Sequence, residues 1–143
     1  MFIKQLSVFI ENREGRLEEV LDTLKLSGIN IISLSLADTS DYGMLRMIVS
    51  DPDTGKAALK KSGFSAMITD VLVIRLAHRI GQLQELLEVI CKASINIEYM
   101  YALSTGKDDA AIVLKASNLK KAEELLKEQG ALVFTSDEIK SME

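Results

Sequence analysis

The chain has 143 residues, of which 48% are hydrophobic and 27% are charged, and its formal net charge is −4 at pH 7. The acidic balance argues against a nucleic acid partner, because phosphate binding depends on clustered Lys and Arg. No apolar run approaches the roughly 18 residues that a membrane-spanning helix needs, and the N-terminal residues lack the pattern of a secretory signal. With Cys91 as the only cysteine, we expect a cytoplasmic protein without a disulfide.

An internal repeat organises the sequence. When the chain is shifted by 66 residues, residues 6–31 align with residues 72–97 without a gap. The chain is therefore predicted to contain two copies of one unit, residues 1–68 and residues 69–143. The identical pairs are Leu6/Leu72, Arg13/Arg79, Gly15/Gly81, Leu17/Leu83, Glu19/Glu85, Leu21/Leu87, Ile29/Ile95, Asn30/Asn96 and Ile31/Ile97.

The first copy reads in order as strand, helix, strand, strand, helix and strand. Alternating residues rich in β-branched and aromatic types predict the strands, and apolar residues at helical spacing predict the first helix. Gly28 lies where a C-terminal helix glycine belongs, and Asp53 is predicted to cap the second helix. The predicted bounds are a strand over 2–10, a helix ending at Gly28, strands over 29–37 and 44–49 around a turn at Asp41, Tyr42 and Gly43, a helix ending near Gly63, and a strand from about Ala66.

The second copy repeats this order. Strands are predicted over about 95–103, 110–116 and 131–135, and the second helix over about 118–129. Right-handed crossovers between such elements place both helices on one face of an antiparallel sheet. The predicted fold class is therefore α+β, with two βαββαβ units.

Two strands differ in the character of their faces. Over residues 31–37, Leu34 and Leu36 point one way and are expected to pack on helices, while Ser33 and Ser35 point the other way. Residues 71–76 are apolar on both faces. A strand of that kind is usually covered on both sides, and we expect the two copies to meet there.

Residue types that carry catalysis are scarce. The chain has one His and one Cys, with no metal-ligand spacing, no phosphate-loop glycine pattern and no nucleophile elbow. Cys91 is expected to be a packed or partly exposed thiol. RNA binding through the sheet would need aromatic residues on the central strands, where Met47 and Ile112 are aliphatic. The sequence predicts no catalytic residue, no metal and no cofactor.

The turn that precedes the first helix of each copy is the candidate binding site. A glycine there allows close backbone approach, and unpaired N–H groups at the positive end of the helix dipole favour a carboxylate. The structural alternative is that Asn12 caps the helix and Gly15 only relieves crowding; His78 is either a cap or a ligand contact. We call these segments the Gly15 turn (Asn12, Arg13, Glu14, Gly15, Arg16 and Leu17) and the Gly81 turn (His78, Arg79, Ile80, Gly81, Gln82 and Leu83).

The letters NREGRL followed by GINI resemble the signature of the ACT domain, a D-x-P-G-x-L turn followed by G-I-N-I, and HRIGQL with SINI is similar to it. The resemblance covers nearly the whole chain as two tandem ACT domains. It implies ferredoxin-like βαββαβ units that bind small ligands, most often amino acids, at an interface between two domains. It also implies ligand contact by both turns and by the start of the second strand of each copy, at Asn30 and Ile31 and at Asn96 and Ile97.

The copies depart from the signature in different ways. Asn12 and His78 replace the usual Asp, Glu14 and Ile80 replace the Pro, and Ser94 replaces the glycine before I-N-I in the second copy. The two turns therefore need not be equivalent sites.

The resemblance implies a regulatory protein, not an enzyme, that binds an L-amino acid near the domain interface. The Ser-lined sheet face at Ser33 and Ser35 and the two-sided apolar strand over 71–76 lead us to expect a homo-oligomer. One alternative is a ligand-free interaction module that docks a metabolic enzyme. Another is an acylphosphatase-like hydrolase on the same fold, which would use Arg13 with Asn30 but lacks that family's glycine-rich turn.

Overall fold

The computed structural model of the chain describes residues 2–38, 40–77, 79–104 and 110–142. Two compact units form, one from Lys4–Thr69 and one from Asp70–Met142 with Phe2 and Ile3. Both are βαββαβ-like, so the predicted α+β class is confirmed. The elements are β1 (Ile3–Glu11), α1 (Arg16–Leu26), β2 (Ile31–Asp38), β3 (Tyr42–Val49), α2 (Pro52–Lys61), β4 (Ser65–Leu76), α3 (Gln82–Lys92), β5 (Ile97–Ser104), β6 (Ala110–Ala116), α4 (Leu119–Glu128) and α5 (Ser136–Lys140).

In the first unit the neighbouring strands follow the order β2-β3-β1-β4. Both β1 and β2 pair with β3 in antiparallel fashion, so β1 and β2 run in the same direction. Gly43 on β3 pairs with Ile10 near the end of β1 and with Asp38 at the end of β2. The Gly15 turn and the C-terminal end of β2 therefore lie at the same edge of the sheet.

The second unit repeats this arrangement with the order β4-β6-β5. Ala110 on β6 pairs with Leu76 at the end of β4 and with Ser104 at the end of β5. The Gly81 turn consequently lies beside the end of β5, as the Gly15 turn lies beside the end of β2.

Each unit has its own core on the helical face of its sheet. Alternating residues of the central strands point to that face, where the apolar residues of the two helices cover them. In the first unit the buried cluster includes Leu6, Val8, Leu45, Met47, Val20, Leu24 and Leu59, and in the second it includes Leu72, Ile74, Leu114, Leu86, Ile90, Ala122 and Leu126. The predicted placement of the helices on one face is confirmed.

The predicted faces of two strands are confirmed only in part. Leu34 and Leu36 pair with the core residues Met47 and Leu45 and so lie on the helical face. They are nevertheless 46% and 44% exposed, because β2 is an edge strand that the helices cover incompletely. On β4, all four residues from Val71 to Ile74 are buried, as the two-sided apolar pattern predicts.

One helix start and one turn differ from the prediction. Asp51, not Asp53, caps α2, and its carboxylate accepts a hydrogen bond from the backbone N–H of Thr54 at 3.1 Å. Pro52 follows directly at the first helical position, where its fixed φ and missing N–H are tolerated. The predicted turn at 41–43 is also too long, since Tyr42 and Gly43 already pair within β3.

The predicted strand over 131–135 is confirmed only in part. The segment forms no regular strand, but Val133 makes an antiparallel bridge with Ile74, in which the N–H of Arg75 donates to the carbonyl of Leu132 at 2.9 Å and the N–H of Phe134 donates to the carbonyl of Val73 at 2.8 Å. Thr135 ends the extended segment by capping α5, and Glu138 completes a capping box with it. The Thr-x-x-Glu spacing is the sequence signature of such a box, although the sequence prediction did not use it.

Replacing Leu24 by Ala tests the first core. Leu24 is fully buried in that cluster, so the substitution should lower the free energy of unfolding by about 2–5 kcal/mol. Denaturant titration measures this loss. Leu26→Ala on the same helix is the matched control, because Leu26 is 79% exposed and should change stability by only about 0.5 kcal/mol. Equal losses in the two variants would contradict the described orientation of α1.

Candidate ligand-binding site

Both turns use the same glycine conformation. Gly15 and Gly81 have φ angles of 83° and 85°, in the left-handed region, and each is the N-cap residue of its helix. Their carbonyls accept the first helical hydrogen bonds, from the N–H groups of Glu19 and Glu85, both at 3.0 Å. A residue with a Cβ would be strained in this conformation. The two copies therefore share the backbone conformation of this turn and not only its amino-acid sequence.

The glycine N-cap leaves the helix start partly open. The first helical N–H of each helix, from Arg16 or Gln82, donates to the carbonyl of Arg13 or Arg79 at 3.3 Å, whereas no side chain caps the N–H groups that follow. Side chains of Ser, Thr, Asp or Asn normally accept a hydrogen bond from the N–H groups of the first turn, and glycine carries no such group. Those N–H groups and the positive end of the helix dipole can instead attract an anion. The arrangement is chemically suited to a carboxylate at either turn.

Asn12 does not cap α1. Its amide nitrogen donates a hydrogen bond to the carbonyl of Ser40 at 3.3 Å, and its backbone N–H donates to the carbonyl of Asp41 at 2.8 Å. Asn12 thus ties the Gly15 turn to the connection between β2 and β3, and the structural alternative that made it a cap is wrong. The corresponding interpretation of His78 lies outside the described residues.

The two turns have different ion pairs. In the first unit Arg13 pairs with Glu11 at 3.1 Å, and Arg16 pairs with Glu19 at 2.6 Å. In the second unit the counterpart of Glu11 is Ala77 and the counterpart of Arg16 is Gln82. Arg79 accordingly reaches Glu85 instead, donating two hydrogen bonds to it at 3.2 and 2.8 Å.

The Arg79–Glu85 pair shifts both pKa values. The hydrogen bond from Arg79, and then its positive charge, hold the pKa of Glu85 below its usual range, and Glu85 raises the pKa of Arg79 for the same two reasons. Because the pKa of Glu85 is lowered, the pair is present at neutral pH and is lost as pH falls through that lowered value. Both side chains are 55% exposed, so water and salt weaken the attraction.

Arg16 packs against an aromatic ring of the first unit. Its guanidinium carbon lies 4.3 Å from the centre of the Phe64 ring, in the geometry of a cation–π contact. The side chain is only 20% exposed, and its Nε is buried without a hydrogen-bond partner. Arg16 therefore serves packing in this structure.

The space around the Gly15 turn is small or polar. A cavity of about 70 Å³ lies between the turn, the end of β1 and the ends of β2 and β3, with Leu17, Leu36 and Gly43 in its lining. Outside it, an open concavity of about 720 Å³ is lined by Asn12, Arg13 and Glu14.

The space around the Gly81 turn is larger and apolar. An open groove of about 1160 Å³, which we call the α3 groove, runs along that helix from the Gly81 turn. Ala102 occupies the strand position that Leu36 has in the first unit, since it pairs with Ile112 as Leu36 pairs with Leu45. At the position where Leu36 forms a wall of the first unit's cavity, the second unit therefore has only the methyl group of Ala102. The groove is lined by Leu76, Ala77, Arg79, Ile80, Gly81, Gln82, Leu83, Gln84, Leu87, Glu88, Cys91, Lys92 and Ala110.

The second set of predicted contacts lies away from the turns. Ile31 pairs with Val49, whereas Glu11 at the turn pairs with Tyr42, so Asn30 lies at the opposite end of the sheet. The length of α1, 11 residues at 1.5 Å each, separates the two regions by roughly 16 Å. Asn96 and Ile97 have the corresponding place in the second unit. A small ligand at one turn does not reach these residues of the same unit.

The backbones of the two asparagines make identical contacts. The N–H of Asn30 donates to the hydroxyl of Ser50 at 2.9 Å, and the N–H of Asn96 donates to the hydroxyl of Ser117 at 3.0 Å. The backbone N–H of each serine donates back to the asparagine carbonyl at 2.9 Å.

The separation of roughly 16 Å between Asn30 and the Gly15 turn also removes support for the hydrolase alternative, which requires Arg13 beside Asn30.

Sequence reasoning missed several residues around the turns. They come from the ends of the neighbouring strands and from the outer face of α3. The available signal was the topology, because parallel β1 and β2 must end at the same edge. The missed residues are Leu36, Asp38 and Gly43 in the first unit and Leu76, Leu87, Cys91 and Ala110 in the second.

Within the described part of the chain, no group of three or more His, Cys, Asp or Glu side chains could hold a metal ion. Among the same residues, no helix is long and apolar enough to span a membrane.

A pair of βαββαβ units, each with a glycine N-cap at its first helix, defines the class of protein to which this chain belongs. The family model described as an ACT domain pair matches residues 1–142. The chain is therefore a member of the ACT domain family with two tandem ACT domains, and the sequence resemblance is confirmed.

Solved structures share this fold. Protein BT0572 from Bacteroides thetaiotaomicron is 38% identical, with a TM-score of 0.91 over 98% of this chain and 96% of that one. The ligand-free regulatory subunit of aspartate kinase from Thermus thermophilus is 15% identical, with a TM-score of 0.63 over 87% and 90% of the two chains. The regulatory subunit from Thermus flavus is 17% identical, with a TM-score of 0.60 over the same shares. No curated protein matches the sequence.

The Arg79–Glu85 pair yields a test by titration. Arg79→Gln should raise the pKa of Glu85 toward the usual value of about 4.3, because the hydrogen bond and charge that lower it are removed. Side-chain carboxyl shifts in an NMR pH titration measure the change. Arg13→Gln is the matched control, since Arg13 pairs with Glu11 and should leave Glu85 unaffected. An unchanged Glu85 pKa in Arg79→Gln would show that the pair does not form.

Proposed function

We propose that this protein is a regulatory module that binds a free L-amino acid at its strand–helix turns. The observation that carries the proposal is the glycine N-cap at Gly15 and Gly81, which leaves the N–H groups of the second and third residues of α1 and α3 without a capping side chain and available for a carboxylate. The ligand's ammonium group would then face carbonyls or side chains at the end of the adjacent strand. Membership of the ACT domain family supports a regulatory role.

Ligand binding would act by shifting populations. A ligand moves a conformational equilibrium only by its difference in affinity for the two states. The regulatory subunits of aspartate kinase, which are regulators of an enzyme, share the fold. By analogy we propose a separate partner enzyme as the recipient of the signal, and the cytoplasm as its location.

A second copy of the chain would complete the site. Small-molecule sites typically enclose most of the ligand surface, whereas the α3 groove is open along one side. Residues of a second copy could close it, and we therefore propose a homo-oligomer. Light scattering on the purified protein should give a mass of at least twice the 15.8 kDa of one chain. A mass of one chain at micromolar concentration, with and without ligand, would contradict this proposal.

The competing function is docking without a small ligand. The α3 groove favours it, because an exposed apolar surface rimmed by polar groups is a common feature of protein interaction sites. The two functions differ in what the glycines must do. Docking along α3 does not require an open helix start, whereas carboxylate binding does.

Calorimetric titration with the twenty L-amino acids tests the proposal. At least one should bind the wild-type protein. The double variant Gly15→Asp, Gly81→Asp should abolish that binding. Each new carboxylate would accept hydrogen bonds from the N–H groups at the helix start and would repel the carboxylate of the ligand. Heat from none of the twenty would refute the ligand claim.

The matched control is the double variant Gly28→Asp, Gly130→Asp. These glycines also have positive φ angles, 72° and 79°, with open space where a Cβ would lie, but they follow helices and do not precede them. Ser94 at φ 60° shows that a side chain is tolerated at the position equivalent to Gly28. The control should lose similar stability and keep the ligand. Equal loss of binding in both double variants would show that the turns have no specific role.

A further inference from the structure

The two turns differ most in their acidic residues. Four exposed glutamates surround the Gly15 turn in sequence, and three of their four counterparts at the Gly81 turn are uncharged. Nearby negative charges oppose the binding of a carboxylate. The Gly81 turn is therefore the better anion site, although both have the same backbone. The pairs are Glu11/Ala77, Glu14/Ile80, Glu18/Gln84 and Glu19/Glu85.

The space available differs in the same direction. The enclosed cavity at the Gly15 turn has about 70 Å³, about half of the roughly 150 Å³ that accommodates a benzene-sized group in a protein. The described residues that line the concavity outside it are the polar residues Asn12, Arg13 and Glu14. These three offer no apolar wall to an amino acid side chain of leucine size.

The α3 groove offers what the first turn lacks. Ile80 is 100% exposed in the turn itself. Covering an exposed isoleucine side chain with an apolar group is favourable in free energy, because apolar surface is removed from water. Leu83 and Leu87 follow on the same wall of the groove, and Ala110 faces it from the adjoining strand. The groove, with a volume of about 1160 Å³, is larger than an amino acid. A ligand would therefore occupy only the end of the groove nearest the turn.

We infer that, of the two turns, the Gly81 turn is the one that holds the amino acid, and that this site selects an apolar side chain. Leucine, methionine and phenylalanine are of the chemical class that fits. Ile80, Leu83 and Leu87 determine the selectivity by contact with the ligand side chain. The inference rests on the proposed function, because it takes the carboxylate to lie at the Gly81 turn.

Reciprocal exchange of the two turn residues tests the inference. Ile80→Glu gives the second turn the residue of the first, and Glu14→Ile does the reverse. Both positions are exposed, so neither change removes a core contact, and thermal unfolding verifies this. Calorimetry uses leucine, methionine and phenylalanine as apolar probes and aspartate and lysine as polar probes.

The expected result has three parts. The apolar probes bind the wild-type protein at no more than one molecule per chain, Ile80→Glu weakens their binding at least tenfold, and Glu14→Ile leaves it unchanged. Preference for aspartate or lysine, two molecules per chain, or loss of binding only in Glu14→Ile would overturn the inference and leave the proposed function standing. If none of the twenty amino acids binds, both fail together.

Discussion

The left-handed backbone at Gly15 and Gly81 is the constraint on which the candidate sites depend. With φ angles of 83° and 85°, these glycines turn the chain from a strand into a helix within a few residues. They also take the N-cap position, so no side chain of the cap residue satisfies the first N–H groups. One conformational requirement thus produces both the sharp turn that the fold needs and the open helix start that a carboxylate can use.

The side chains around this shared backbone have diverged. Replacement of Glu11 by Ala77 and of Arg16 by Gln82 leaves Arg79 and Glu85 to pair with each other, whereas the first turn has two separate ion pairs. Replacement of Leu36 by Ala102 and of Glu14 by Ile80 accompanies the change from a small cavity to a long apolar groove. Duplication preserved the backbone of the site, and substitution changed the chemistry that it presents.

Periodicity predicted most of the fold, because it is a local property of the chain, and the 66-residue repeat carried the same order of elements from the first copy to the second. Alternation shows which face a residue points to, but not whether its strand is at an edge, so the exposure of Leu34 and Leu36 could not be predicted. The second unit's last predicted strand is reduced to a bridge for a different reason, since Thr135 already caps α5 and so ends the extended segment after Phe134. At the site, the turn glycines could be read from the sequence, whereas their distance from Asn30 depends on strand direction and became visible only in the sheet.

The central claim, that a ligand carboxylate binds the start of α3, is tested most directly by NMR. Backbone amide shifts are followed while a binding amino acid is added to labelled protein. The account predicts the largest downfield amide shifts at Leu83 and Gln84, the second and third residues of that helix, because their N–H groups would meet the carboxylate, whereas the N–H of Gln82 already donates to the carbonyl of Arg79. Shifts that spare Leu83 and Gln84 and cluster elsewhere in the chain would contradict it.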